Sequence, residues 1–274
     1  MKTNQLALNT VSVRGGLREI LDGAARAGFR NVEFQLGQVE AFLRENSLAE
    51  LLQLLRDHEL TVVGGFHGGL EVYSGNWAAN RARHVEMAKL LADLGQGVTQ
   101  NMVVGTDARP IGELENPLER FAEALGELAG DLAPLGVNVL IEFNWGAVKT
   151  LALAADIARA SGAANAGVLF DPAHYYCTPT KFADLTPGNV AAIKHVHVDN
   201  MRRKPAELSN CNSDRLLPGD PAGVMDLPGL FGRLEEHGYA GLFSIEMFSD
   251  ELWGQSPAEA SRRMYQSLLT LVES

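Results

Sequence analysis

"IKHVHVDN", residues 193–200, sets two histidines and an aspartate in a run of β-branched residues. On a strand, positions i and i+2 share a face, so His195, His197 and Asp199 point one way while Val196 and Val198 point the other. By itself an HxH on an apolar strand reads as a hydrogen-bonded structural pair. It becomes a ligand set only if neighbouring strands supply partners, so its meaning depends on the fold around it.

In both directions from this strand the chain alternates short β-rich runs with longer helical patterns. The runs fall at 5–9, 31–35, 60–66, 98–104, 137–143, 166–170, 193–198 and 241–247. Amphipathic stretches at 17–28, 47–59, 80–95, 117–136 and 226–238 lie between them, several ending in Gly, and a closing helix is expected at 256–273. Eight β-then-α units with no composition break, low-complexity linker or short repeat predict a (β/α)8 barrel, one domain over residues 1–274. An open doubly wound sheet is the alternative. It would carry a Gly-rich nucleotide loop after its first strand, and "SVRGGLRE" (12–19) is neither GxGxxG nor a P-loop.

Composition narrows the partners. The chain has 274 residues, 46% of them hydrophobic, enough for a large core. With 23 basic and 34 acidic residues the net charge of −11 repels nucleic-acid phosphates and anionic membranes. Cys177 and Cys211 lack the spacing of a zinc finger or a disulfide framework, which fits a reducing compartment. The first residues do not read as a secretory signal, and no window reaches membrane-spanning length, so a cytoplasmic protein is expected.

In such a barrel, chemistry is built at the C-terminal ends of the strands. Those ends carry Asn9, Glu33, His67, Asn101 or a neighbour, Glu142, Asp171, His197 and Glu246. Asn9 and His67 have bland readings as partners of loop backbone, and Glu33 as a solvated strand end. Glu142, Asp171, His197 and Glu246 lie on consecutive strands within apolar runs. Three carboxylates brought together there would not all ionise without a neutralising cation. One divalent ion resolves the cost: the oxygen-rich set suits Mn²⁺ or Mg²⁺, and the imidazole leaves Zn²⁺, Co²⁺ or Fe²⁺ open. His197 is the expected ligand of the pair, with His195 deeper as a support.

The segments "VLIEFNW" (139–145), "VLFDPAHYY" (168–176), "KHVHVDN" (194–200), "RLLPGD" (215–220) and "LFSIEMF" (242–248), in this order, resemble the xylose isomerase-like TIM-barrel family of sugar isomerases and epimerases, which includes ketose 3-epimerases, hydroxypyruvate isomerase and inosose dehydratase. The resemblance implies Glu142, Asp171, His197 and Glu246 as metal ligands, His174 as a substrate contact and Arg215 as an arginine on substrate oxygens, with Arg202 and Arg203 as alternatives to Arg215 because the segment 198–214 is long.

The expected chemistry is proton transfer in a keto sugar, through an enediolate stabilised by the metal, with Glu142 and Glu246 as the proton carriers. The arrangement of two glutamates that are both ligands and bases is implied by the resemblance. His67, Trp145 and Tyr175 join His174 and Arg215 as expected substrate contacts; Trp145 and Tyr175 are the aromatics nearest the ligands in sequence. The absence of a basic cluster or glycine-rich turn near strands seven and eight favours a non-phosphorylated sugar or polyol ketone. Rival readings are a metal-dependent dehydratase of an inosose-like or dehydroshikimate-like substrate, with His174 as the acid, and an abasic-site endonuclease. The endonuclease is disfavoured by the net charge, by the missing histidine in "VTQNMVVGT" (98–106) and by Asp214-Arg215-Leu216 where Asp-Arg-His would be needed. A non-catalytic scaffold would leave the carboxylates without a compensating ion. The oligomeric state, a homo-oligomer included, stays open.

Overall fold

The computed structural model describes residues 1–204 and 211–272. Its strands are Leu6–Asn9 (β1), Asn31–Gln35 (β2), Thr61–Leu70 (β3), Gln100–Thr106 (β4), Val137–Glu142 (β5), Ala166–Phe170 (β6), Ile193–Val198 (β7), Asn200–Met201 (β8), Arg215–Leu216 (β9) and Phe243–Ile245 (β10). All but β8 and β9 form a closed parallel barrel in the order β1-β10-β7-β6-β5-β4-β3-β2, the (β/α)8 TIM barrel that the alternation predicts. The short antiparallel pair β8-β9 rises from the β7 end and returns Arg215 to the barrel mouth.

The helices are Leu17–Ala27 (α1), Leu36–Leu43 (α2), Leu48–Asp57 (α3), Trp77–Gly95 (α4), Pro117–Leu132 (α5), Leu151–Ala160 (α6), Pro172–Tyr176 (α7), Pro187–Val190 (α8), Leu227–Glu236 (α9), Asp250–Trp253 (α10) and Pro257–Val272 (α11). Their ends follow local chemistry. Ser47 and Glu50 cap the start of α3 reciprocally: Ser47 Oγ accepts from the Glu50 N–H at 3.2 Å and Glu50 Oε2 from the Ser47 N–H at 2.7 Å. Gly28 ends α1 at φ +115°, a left-handed position that favours glycine. Glu273, expected as the last residue of the closing helix, and residues 205–210 of the long segment lie outside the described residues.

Boundaries shift where turns compete with strands. The run at 98–104 begins pairing only at Gln100, because the Val98 N–H closes a turn on the Gly95 carbonyl at 2.9 Å. The run at 60–66 continues to Leu70 through an irregularity between Phe66 and Gly69. Most buried apolar side chains lie between strands and helices, while Val103, Leu140 and Leu169 form a separate cluster with Phe66 packed on it. No helix among the described residues is long and apolar enough to cross a membrane.

Candidate metal centre

Strand parity places the polar groups. In β5 and β6, Leu140 and Leu169 belong to the separate inner cluster, and Glu142 and Asp171, two residues further on, share their face. In β7 and β10 the same alternation aligns His195, His197 and Asp199, and Ser244 with Glu246, while Val196, Val198, Phe243 and Ile245 pack into the outer core. Ligand atoms of Glu142, Asp171, His197 and Glu246 all lie within 4.8 Å of one another, and all four residues are buried.

Three of the four side chains are held by bonds outside the cluster. Asp171 Oδ1 caps α7, accepting from the Ala173 N–H at 2.7 Å and the His174 N–H at 3.3 Å. Its Oδ2 is buried and lies 2.9 Å from Arg215 Nη1. Glu246 Oε1 accepts from the Asn9 amide at 3.1 Å. His197 Nε2 faces Glu33, 3.2 Å from both carboxylate oxygens. Its Nδ1, also buried and without a hydrogen-bond partner, is 3.3 Å from Glu246 Oε2 and 3.7 Å from Glu142 Oε1 and Asp171 Oδ2.

A buried guanidinium completes the charge balance. Arg215 Nη1 lies 2.6 Å from Asp199 Oδ2, 2.9 Å from Asp171 Oδ2 and 3.1 Å from Glu246 Oε2, with the Phe248 ring beside it at 5.2 Å. Arg202 and Arg203 are exposed, so of the three arginines it is Arg215 that reaches the site. Asp199 also accepts from the Ala173 N–H at 3.0 Å, tying β7 to α7. The local field shows in the ionisations. Burial alone would raise Asp171, but Arg215, His174 and His197 hold it well below the usual carboxylate range. Glu142 is likewise lowered, against burial, by His174 and His197. Burial works against the charged form of both imidazoles, yet Asp171 and Glu142 raise His174, and Glu246 and Glu33 lift His197 well above its ordinary value.

Above the cluster opens a cavity of about 530 Å³ lined by Glu142, His174, Arg215 and Glu246 together with Val11, Gln35, Phe66, Asn144, Trp145, Asn212 and Phe248. His174 Nε2 is 3.2 Å from Glu142 Oε1, and its Nδ1 is 3.2 Å from the amide nitrogen of Asn144, a residue held at φ +74°. Trp145 meets Phe66 edge-on at 6.0 Å, and a Cβ on Gly105 would come within 2.7–2.9 Å of Trp145, so the indole occupies room that only glycine leaves.

Two expected substrate contacts lie elsewhere. Phe66 lines the cavity, so His67, the next residue on the strand, turns toward the helix layer, where its ring meets His84 of α4 at 5.4 Å. Tyr175 sits on the outward side of α7 against Phe170, with ring centroids 5.9 Å apart. Glu33 is not a solvated strand end: it is fully buried, and the flanking Val32 and Phe34, both in the outer core, turn it into the barrel. That flanking pair was the signal for it. Asp199 stood on the histidine face from the start, but nothing in the sequence joined it to Arg215.

An eight-stranded parallel barrel with three carboxylates and an imidazole gathered at its strand ends is a TIM barrel with a candidate metal site at its mouth. The chain belongs to the xylose isomerase-like TIM barrel family, whose model matches residues 21–268. It is 24% identical to an inosose isomerase of Bacillus velezensis over 253 residues, 89% of this chain and 88% of that protein. It is 27% identical to a 3-dehydroshikimate dehydratase of Pseudomonas aeruginosa over 251 residues, 90% of this chain but 38% of that protein. The crystal structure of an IolI protein with a bound zinc atom superposes with a TM-score of 0.85 at 20% identity, covering 98% of both chains, a likeness of fold.

Proposed function

We propose that the protein is a divalent-metal-dependent isomerase or epimerase of a non-phosphorylated sugar or polyol ketone. The observation that carries this reading is His197 Nδ1, which is buried with no hydrogen-bond partner and faces the same space as the Glu142, Asp171 and Glu246 carboxylates. Buried polar atoms are rarely left unpaired, and here the missing partner is a cation. Without an ion the Glu142, Asp171 and Glu246 carboxylates are offset by Arg215 and by the raised imidazoles of His174 and His197, so a divalent ion would take the place of the proton on His197. Glu142, Asp171, His197 and Glu246 would hold the ion; three carboxylates and one imidazole suit Mn²⁺ or Mg²⁺ and accept Zn²⁺. A divalent ion bound there would acidify the C–H beside a chelated carbonyl.

The rest is the work of the chain's own residues. Glu142 and Glu246 line the cavity from strands that β6 and β7 separate, so in an epimerase one carboxylate can take the C–H proton from one face while the other, entering as the acid, delivers a proton to the opposite face. In an isomerase the glutamate that took the proton gives it to the next carbon as the hydroxyl proton passes between the two substrate oxygens. His174 Nε2, beside Glu142 Oε1, holds a proton toward a substrate hydroxyl. Phe66, Trp145 and Phe248 offer ring faces to sugar C–H bonds and exclude water. Arg215 is the sole Lys or Arg among the lining residues and its Nη1 is taken up by carboxylates, which suits a substrate without phosphate.

A dehydratase is the second reading, favoured by His174, which lines the cavity with its Nε2 3.2 Å from Glu142 Oε1 and from there can hand a proton to a departing β-hydroxyl. Metal analysis of purified protein beside Glu246→Ala, with the thermal midpoint followed as EDTA and then Mn²⁺ are added, tests the site. Close to one ion per chain, loss of stability on chelation and neither effect in the variant support it. Two metal-free proteins indifferent to Mn²⁺ overturn it. Solvent deuterium entering keto sugars or inososes without loss of water then selects the isomerase reading, and water loss the dehydratase.

A further inference from the structure

Glu33 lies inside the barrel, fully buried, on the side of His197 away from the four-residue cluster. Its Oε2 is 3.0 Å from His195 Nε2 and 3.2 Å from His197 Nε2, and its Oε1 is 3.2 Å from His197 Nε2. These two imidazoles are its hydrogen-bond partners among the described residues; neighbouring Asn9 spends its amide on Glu246. The two rings stand edge to face, centroids 5.8 Å apart, so both Nε2 atoms converge on one carboxylate. His197 thus meets Glu33 with one nitrogen and the Glu142, Asp171 and Glu246 carboxylates with the other.

A neutral imidazole carries one N–H, and the bond made by one nitrogen decides what the other presents. The geometry points to Glu33 as a positioning residue: by accepting the His197 Nε2–H it fixes the ring so that Nδ1 offers its lone pair to the ion, and His195 is the second donor that holds the Glu33 carboxylate in that place. This rests on the metal reading above. His195 is suited to the role, since its own Nδ1 is buried with no hydrogen-bond partner and, among the described residues, its side chain hydrogen-bonds to Glu33 alone. A pair kept only for packing would be served as well by apolar side chains of the same size, as at Val103, Leu140 and Leu169 across the barrel.

The test compares Glu33→Met, which removes the acceptor at similar size, with Glu33→Gln, which keeps one acceptor oxygen. Zn²⁺ affinity is measured by competition with a chelator of known strength, and the His197 Nε2–H is followed in proton–nitrogen spectra of ring-labelled protein, both chelated and zinc-loaded. Expected are an affinity loss of about 10- to 100-fold in Glu33→Met, a smaller loss in Glu33→Gln, and a protected Nε2–H in wild type that exchanges freely in Glu33→Met. Unchanged affinity and an unchanged Nε2–H in the variants, even with a lowered thermal midpoint, overturn the inference and leave Glu33 a packing residue. If Glu33→Met does not fold, Glu33→Gln decides by the same readouts. If wild type binds no zinc, the metal reading fails by itself, and the Nε2–H of the chelated proteins still decides whether Glu33 orients the ring.

Discussion

The two sides of the barrel interior are built from different materials. On β3 to β6 the inward layer below the mouth is Phe66, Val103, Leu140 and Leu169, with Glu142 and Asp171 above it and the hydrogen-bonded pair Asn101 and Asn138, 2.9 Å apart, below it. On β1, β2, β7 and β10 the polar groups run deeper: Asn9, Glu33, His195, His197 and Glu246 are buried and hydrogen-bonded to one another. One side sets its carboxylates on an apolar floor, with polar contacts only at the mouth, from the α7 N–H groups, His174 and Arg215. The other holds its ligands by directed bonds, each of which consumes a polar atom that would otherwise face the cavity. Perturbing the apolar side should therefore cost stability first, and perturbing the polar side should cost metal and turnover first.

The largest effect is expected at Glu246. Glu246→Gln keeps the shape and the Asn9 contact but removes a charged ligand and a proton carrier, so solvent-deuterium exchange into a keto sugar should fall by about 10²- to 10⁴-fold or more. Substantial residual exchange would remove Glu246 from the proton path. Arg215→Met tests the charge balance next. It leaves Asp171, Asp199 and Glu246 facing one another without their guanidinium, and urea unfolding of the chelated protein should show a loss of about 3–5 kcal/mol, partly recovered with Mn²⁺. On the apolar side, Leu140→Ala or Leu169→Ala should cost about 2–5 kcal/mol in the same experiment with little change in metal affinity. Should these variants lose metal as readily as Glu246→Gln, the two sides do not differ in the way described.

The pH response sharpens the contrast, because the ionisable members cluster at the ligands and on the deeper polar side. His197 is raised well above its ordinary value despite burial, by Glu246 and Glu33. A group raised in the folded state adds stability below its unfolded value, about pH 6.5, and that stability is lost as pH rises through the folded value. Asp171, Glu142 and Glu33 are lowered, so their contribution is present above about pH 4 and is lost as pH falls through their folded values. The chelated protein should thus be most stable near pH 6 and weaken on the alkaline side. Mn²⁺ should flatten the alkaline limb by taking the place of the proton on His197, and a chelated His197→Gln variant should show a shallower limb, left to His174 and Asp199, which are also raised. A wild-type profile with no alkaline decline would mean that His197 is not protonated among these carboxylates.

Much of this was legible in the sequence, for a physical reason. Strand period and Gly-ended helices marked all eight barrel strands, because each unit must bury one face regardless of its neighbours. Carboxylates inside apolar runs marked Glu142, Asp171 and Glu246, because burial there needs compensation. His67 was misplaced because strand-end position alone does not settle parity: Phe66 takes the inward place, and the irregularity before Gly69 follows. Glu33 was misread although Val32 and Phe34 flank it, since a single carboxylate at a strand end is more often solvated. The link between Asp199 and Arg215 spans the β8-β9 excursion, whose geometry depends on tertiary pairing that no local pattern encodes.

The smallest expected effect lies at the cavity rim, where neither side's ligands are touched. Trp145 rests on Gly105: an added Cβ would approach its carbonyl oxygen to 2.7 Å and its ring carbons to 2.8–2.9 Å. Backbone cannot give at this point, because the Trp145 carbonyl accepts the Thr106 N–H at 2.8 Å. A cleaner probe than Gly105→Ala is Trp145→Ala, which removes the indole beside Phe66 and opens the wall with no backbone clash, leaving Glu142 anchored in β5. If Trp145 contributes only substrate binding, KM should rise by about 10-fold with kcat and metal affinity nearly unchanged. A fall in kcat with KM unchanged would instead give Trp145 a part in orienting the reacting carbon, and a loss of metal would mean that the rim and the ligand cluster move together, which the separate anchoring of Glu142, Asp171 and Glu246 argues against.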